Sequence, residues 1–182
     1  MRPPTEVLDA LACLLTYPEV SGNGTRYPAA VETVVRACPE TAADLELFMN
    51  GIRPLPSGGL EELYTRTFDN VAARSLEVGW QLFAENYARG ALMVRFRALL
   101  REYEVPEGAE LPDHMMHVLP LIGRMPADLA SAFAGNQVTQ AVEKMLEGVR
   151  AIESPWVGVL EATKKVLQMH KQDKQVLTEA AQ

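Results

Sequence analysis

Apolar residues recur at three- and four-residue spacing along almost the whole chain, and no stretch alternates apolar and polar as a half-buried strand does. That period selects helices. Val7, Leu8, Leu11, Leu14 and Leu15 mark a first helix, with Thr5 as its expected N-cap, ended by Pro18 and the SGNG run. A second is expected from near Pro28, carrying Val31, Val34 and Val35 up to Pro39. Thr41 should cap a third, with Leu45, Phe48 and Met49 on one face. The stretch GIRPLPSGG (51–59) reads as the clearest loop. Leu60, Leu63, Tyr64 and Phe68 then form one stripe, closed by Asp69 and Asn70.

From 75 to about 104 there is no proline, and the segment reads as one long helix. Leu76, Trp80, Phe83, Tyr87 and Val94 line one side, and Leu82, Met93, Phe96 and Leu100 spread around the cylinder. Such a helix is expected at the centre of the fold. Gly90 in its middle should permit close approach by another helix or chain. Pro106 and Gly108 break the pattern, and Pro112 suits a first turn ahead of Met115, Val118, Leu119 and Ile122. Pro126 opens a short helix through Phe133; Val138, Val142, Met145, Leu146 and Val149 mark another; Pro155 opens the last, with Val159, Leu160 and Leu167. The expected fold is all-α: a single bundle-like domain of about seven to nine helices over 1–170, with a polar, flexible tail at 171–182.

At 182 residues, 48% apolar and 23% charged, the chain suits one ordinary globular domain. A net charge of −7 argues against nucleic acid as the main partner and permits a basic peptide. No apolar run is long enough to span a bilayer, and Glu6 and Asp9 interrupt the N-terminal apolar stretch as no secretory signal does. Cys13 and Cys38 have no metal or redox spacing and read as two buried thiols in a reducing cytoplasm.

The densest titratable cluster is ELPDHMMHVLP, with Asp113, His114 and His117. Its histidines share a helix face at i, i+3, and two histidines with a carboxylate can bind zinc. A third ligand is missing from the pattern, and zinc helices favour i, i+4. The plainer reading is helix-start chemistry, with Asp113 complementing the dipole and the histidines on the surface or in a groove. No GxSxG, Walker A or GxGxxG pattern occurs. Glu61, Glu62, Asp69, Glu77 and Glu85 read mostly as solvated helix faces. The aromatics Tyr64, Phe68, Trp80, Phe83 and Tyr87 suit either a core or a groove, because Tyr and Trp combine an apolar body with a polar handle. Beside acidic groups they would fit an amphipathic, basic helix.

Three segments resemble the NarJ/TorD/DmsD family of chaperones that mature molybdenum oxidoreductases. ELYTRTFD (62–69) resembles the family's tyrosine-to-phenylalanine helix end. LEVGWQLFAENYARGALMVRF (76–96) resembles its long central helix, with a Tyr-x-Arg-Gly-x-x-Met pattern running from Tyr87 and Arg89. ELPDHMMHVLPLI (110–122) resembles its Pro-Asp-His helix start. The nitrate-reductase branch is nearest around TFD and RG, although WQLFAENYARG stands where its enteric members carry a histidine-rich segment.

The resemblance implies a cytoplasmic, non-enzymatic chaperone without metal or cofactor, a monomer or weak dimer with no stable membrane insertion. Its partner would be the N-terminal peptide of an apo molybdoenzyme catalytic subunit, held until the cofactor is inserted. Asp113 and His114 match the family's proposed leader-binding positions. Tyr64, Phe68, Asp69, Trp80, Phe83, Tyr87, Arg89 and His117 complete the expected peptide site. The alternative is a small metal- or nucleotide-dependent enzyme built on Asp113, His114 and His117.

Overall fold

The computed structural model describes residues 2–18, 23–56 and 58–179. Ten α-helical segments follow one another: α1 (Thr5–Leu14), α2 (Asn23–Ala37), α3 (Ala42–Ile52), α4 (Gly59–Tyr64), α5 (Val78–Phe83), α6 (Tyr87–Glu102), α7 (Met115–Arg124), α8 (Ala127–Phe133), α9 (Thr139–Arg150) and α10 (Trp156–Glu179). A π-turn, Ala134–Val138, joins α8 to α9 without a break, so among the described residues the ten segments make nine rods. A second π-turn, Thr65–Asp69, extends α4. The expectation of an all-α bundle of seven to nine helices holds. A single antiparallel bridge, Glu77 to His114, is the extended pairing among the described residues.

The centre of the bundle is α10. It packs against α1, α3, α8 and α9, and Trp156, Val159, Leu160, Ala162, Val166 and Leu167 are fully buried on it. A Cβ on Gly158 would collide with the Asp44 carbonyl of α3, so this crossing is closer than alanine would allow. The expected long central helix over 75–104 is instead two helices at the margin. Ala84 takes φ 50°, ψ −129° between them, and Asn86 caps α6 by accepting the Ala88 N–H at 2.9 Å. On α6 only Phe96 and Leu100 are buried, while Tyr87 is 93% and Val94 72% exposed. The apolar spread on α6 therefore faces water and neighbouring clefts rather than a surrounding core.

Three buried aromatic handles close the end of α1. The Trp156 indole N–H donates to the Leu14 carbonyl at 3.0 Å, the Tyr64 hydroxyl to Leu15 at 3.0 Å and the Tyr27 hydroxyl to Thr16 at 3.1 Å. The last carbonyls of a helix lack intrahelical donors, and burying them unpaired is costly. The same rings form an edge-packed cluster with Phe48 and Phe68, with centroids 5.0–5.7 Å apart.

Several helix starts differ from the sequence reading. Pro4 is the N-cap of α1, and the Thr5 hydroxyl donates across the fold to the Gly123 carbonyl at 2.9 Å. Before α3 a 3₁₀ turn, Pro39–Thr41, intervenes, and the Thr41 hydroxyl turns back to Cys38 at 2.7 Å. Helix α2 begins ahead of Pro28, whereas Ser21 and Gly22 of the expected loop lie outside the described residues. Of the two cysteines, Cys38 is buried and Cys13 half-buried, and both are free thiols. The backbone of α10 continues to Glu179, into the segment expected as a tail; residues 180–182 lie outside the described residues. No helix among the described residues is long and apolar enough to cross a membrane.

Candidate functional site

The elements carrying the Pro-Asp-His turn and the start of α5 are laced together by backbone. The Val78 N–H donates to the Asp113 carbonyl at 2.8 Å and the Met115 N–H to the Leu76 carbonyl at 2.9 Å. This short ladder carries the Asp113 side chain under α5, where its Oδ2 accepts the Gly79 N–H at 3.0 Å. Gly79 is the residue that makes the fit possible. A Cβ there would stand 2.5 Å from Oδ2 and 3.1 Å from Leu92. Arg89, from the first turn of α6, places Nε 3.6 Å from the same oxygen and lays its guanidinium over the Trp80 ring, 5.3 Å from the centroid.

Asp113 is thus wholly buried, not a first-turn residue at the surface. Helix α7 starts at Met115 with His114 as N-cap, and the His114 Nδ1 accepts the Met116 N–H at 3.1 Å. Burial outweighs Arg89 and the Gly79 N–H, so the Asp113 carboxyl is pushed above its ordinary range. Burial, with His117 nearby, pulls His114 down to about 3. His117 is lowered by burial, against a hydrogen bond to the Glu110 carbonyl, and its Nε2 accepts the Gly108 N–H at 3.4 Å. Both histidines are neutral props for backbone at neutral pH. Their acceptor nitrogens are engaged by main-chain N–H groups, and no group of three metal-ligating side chains occurs among the described residues.

Above this lock lies a shallow groove of about 340 Å³, whose walls include Trp80, Arg89, Met93 and Leu111, with Gly90 in its lining. A Cβ on Gly90 would meet nothing within 4 Å, so the close approach expected there occurs at Gly79 instead. Tyr87 stands free beside the groove and Phe83 is half-buried. Glu85 carries negative charge into its lining, and three more carboxylates cluster with one another on the adjoining segments. Glu110 is raised by burial and then by Glu77 and Asp69; Asp69 is raised by burial and by Glu77. Glu77 lies one helical turn before Trp80, and Glu110 adjoins Leu111.

The residues expected to form one peptide site therefore separate into three groups. Tyr64 and Phe68, each 3% exposed, belong to the core around Trp156. Asp113, His114 and His117 are a buried brace. Tyr87 and Asp69 are exposed, and Trp80, Phe83 and Arg89 are half-buried. Sequence reasoning missed Leu111 and Glu110 as surface partners and Gly79 as the contact glycine. A glycine immediately before Trp80, in an otherwise helix-forming run, was the available signal for Gly79.

The chain matches no family model and no curated protein.

Proposed function

We propose that this chain is a cytoplasmic, system-specific chaperone that binds the N-terminal peptide of an apo molybdenum oxidoreductase catalytic subunit, nitrate reductase or a related enzyme. It would hold that subunit until the molybdenum cofactor is inserted and before membrane attachment or export. One observation carries the reading. Each of the three segments that resemble the NarJ/TorD/DmsD family contributes a carboxylate, Asp69, Glu77 or Glu110, to one acidic cluster, the third from more than thirty residues beyond the second. Two of those segments also supply Trp80, Met93 and Leu111 to the walls of an apolar groove whose lining includes Glu85, a combination suited to an amphipathic basic segment. The brace formed by Asp113 and His114 supports the groove from beneath, so these residues act on binding through position rather than contact.

The experiment is calorimetry of the purified protein with N-terminal peptides of molybdenum oxidoreductase catalytic subunits encoded in the same genome. The expected result is binding with a negative heat-capacity change, weakened by salt and by Trp80→Ala. Absence of binding to all such peptides, together with no co-purification of a molybdoenzyme subunit, would overturn the proposal. Chelator-sensitive turnover would favour the enzyme reading instead.

A further inference from the structure

On an adjoining face of α6 lies a second cleft, about 300 Å³, between α6, the end of α7 and the α8 rod. Leu92, Phe96, Met125 and Phe133 make it apolar. Its rim is polar and of one charge type: Arg95 from α6, with Asn136 and Gln137 from the π-turn. The π-turn bulges the rod at this point, and such turns occur frequently at functional sites. Leu129, 49% exposed, extends the apolar surface outward.

The charge on α6 runs against that of the molecule. The protein carries −7 overall, yet α6 holds four arginines and only one acidic residue, Glu102. Arg89 is turned to Asp113, and Arg97 and Arg101 both reach Glu107 at 3.0 and 3.8 Å. Arg95 has no ion-pair partner among the described residues, although it is exposed at the mouth of an apolar cleft. An exposed arginine costs little by itself; beside an open apolar surface it supplies direction to whatever docks there.

We propose that this cleft is a second docking site, for a partner protein's amphipathic helix that carries apolar anchors and acidic residues. Its apolar side chains would pack over the Phe96–Phe133 ring pair, whose centroids are 5.5 Å apart, and its carboxylate would pair with Arg95. The charge preference is opposite to that of the acidic groove on the adjoining face of α6, so the two sites select different segments. This inference does not depend on the identity of the peptide proposed for that groove.

The test uses two synthetic helical peptides with leucines at i, i+3, i+4 and i+7, one flanked by glutamates and the other by lysines. Measured on Gly90→Leu protein, in which the acidic groove is obstructed, fluorescence anisotropy should show binding of the glutamate peptide and little of the lysine peptide. Arg95→Glu should weaken the glutamate peptide by roughly tenfold and admit the lysine peptide. Ala132→Trp, at an exposed lining position, should block both. Equal binding of the two peptides, or indifference to Arg95→Glu, would overturn the proposal. Self-association abolished by Arg95→Glu would overturn it in favour of a second copy, and competition by sodium decanoate alone in favour of a small amphipathic acid. With Gly90 intact, a molybdoenzyme N-terminal peptide that binds the other groove should leave the glutamate peptide's anisotropy unchanged; displacement by it would show that the two sites are one.

Discussion

The carboxylate of Asp113 accepts the backbone N–H of Gly79 at 3.0 Å, and the space it occupies is the space a Gly79 Cβ would need. Each residue therefore depends on the other's identity. Asp113→Ala leaves the Gly79 N–H without its acceptor and the Arg89 guanidinium without its ion-pair partner, and should cost about 3 kcal/mol. Asp113→Asn keeps an acceptor and should cost about 1 kcal/mol. Gly79→Ala should resemble Asp113→Ala, because the methyl group expels the carboxylate. Urea unfolding of the three variants checks the ranking; a harmless Gly79→Ala would refute the fit.

Tyr64 tests whether the aromatic stripe is core or groove. Its hydroxyl closes the Leu15 carbonyl inside the protein. Tyr64→Phe should lower stability by about 1–2 kcal/mol without changing affinity for a groove-bound peptide. Thermal unfolding and peptide titration of the same preparation separate the two roles.

Two opposite exchanges on either side of the α5–α6 elbow should both stabilise. Ala84 occupies a conformation that favours glycine, so Ala84→Gly should gain about 1 kcal/mol. Gly90 sits in open helix, so Gly90→Ala should gain about 1 kcal/mol. Each should raise the melting temperature by about 2–4 °C. Gly90→Leu, in contrast, should obstruct a peptide in the groove while leaving the fold intact.

Acid should weaken the fold through His114. Its folded pKa of about 3 lies below the ordinary value of 6.5, so the unfolded chain takes up the proton first. The stability that His114 contributes is complete above pH 6.5 and is lost as pH falls towards 3, by up to about 1.4 kcal/mol per pH unit. His117 acts in the same direction. Asp113, Asp69 and Glu110 act in the other: their raised pKa values make the folded state gain stability on protonation at lower pH. Arg89 opposes the protonation of Asp113, while the Glu77 charge favours it. Denaturation between pH 7 and 4 should show a decline that His114→Asn flattens, since asparagine retains an N-cap acceptor.

The all-helical class was legible because apolar spacing reports the side a helix buries, and the faces of α7, α9 and the first half of α10 were found correctly. The helix over 75–104 was misread for a physical reason. WQLFAENY contains neither proline nor glycine, and at the break the Gln81 carbonyl accepts from the distant Lys144 of α9 at 2.7 Å while Asn86 caps the restart of α6. Tyr64 and Asp113 were misplaced for a related reason. A buried polar group and a surface one look alike in sequence, because the partner that permits burial is distant: Leu15 for the tyrosine, Gly79 for the aspartate.

The π-turn at Ala134–Val138 sets where along that rod the residue count can change. Its Thr139 N–H reaches back five residues to Ala134, so the turn holds one residue more than a regular one. Losing a single codon there would let the rod close into uninterrupted α-helix with both halves keeping their faces. The same loss at the start of α9 would rotate everything beyond it by about 100°. Val142, Met145, Leu146 and Val149, all fully buried now, would then swing away from α10 together. A deletion is thus absorbed at the bulge and propagated a few residues later.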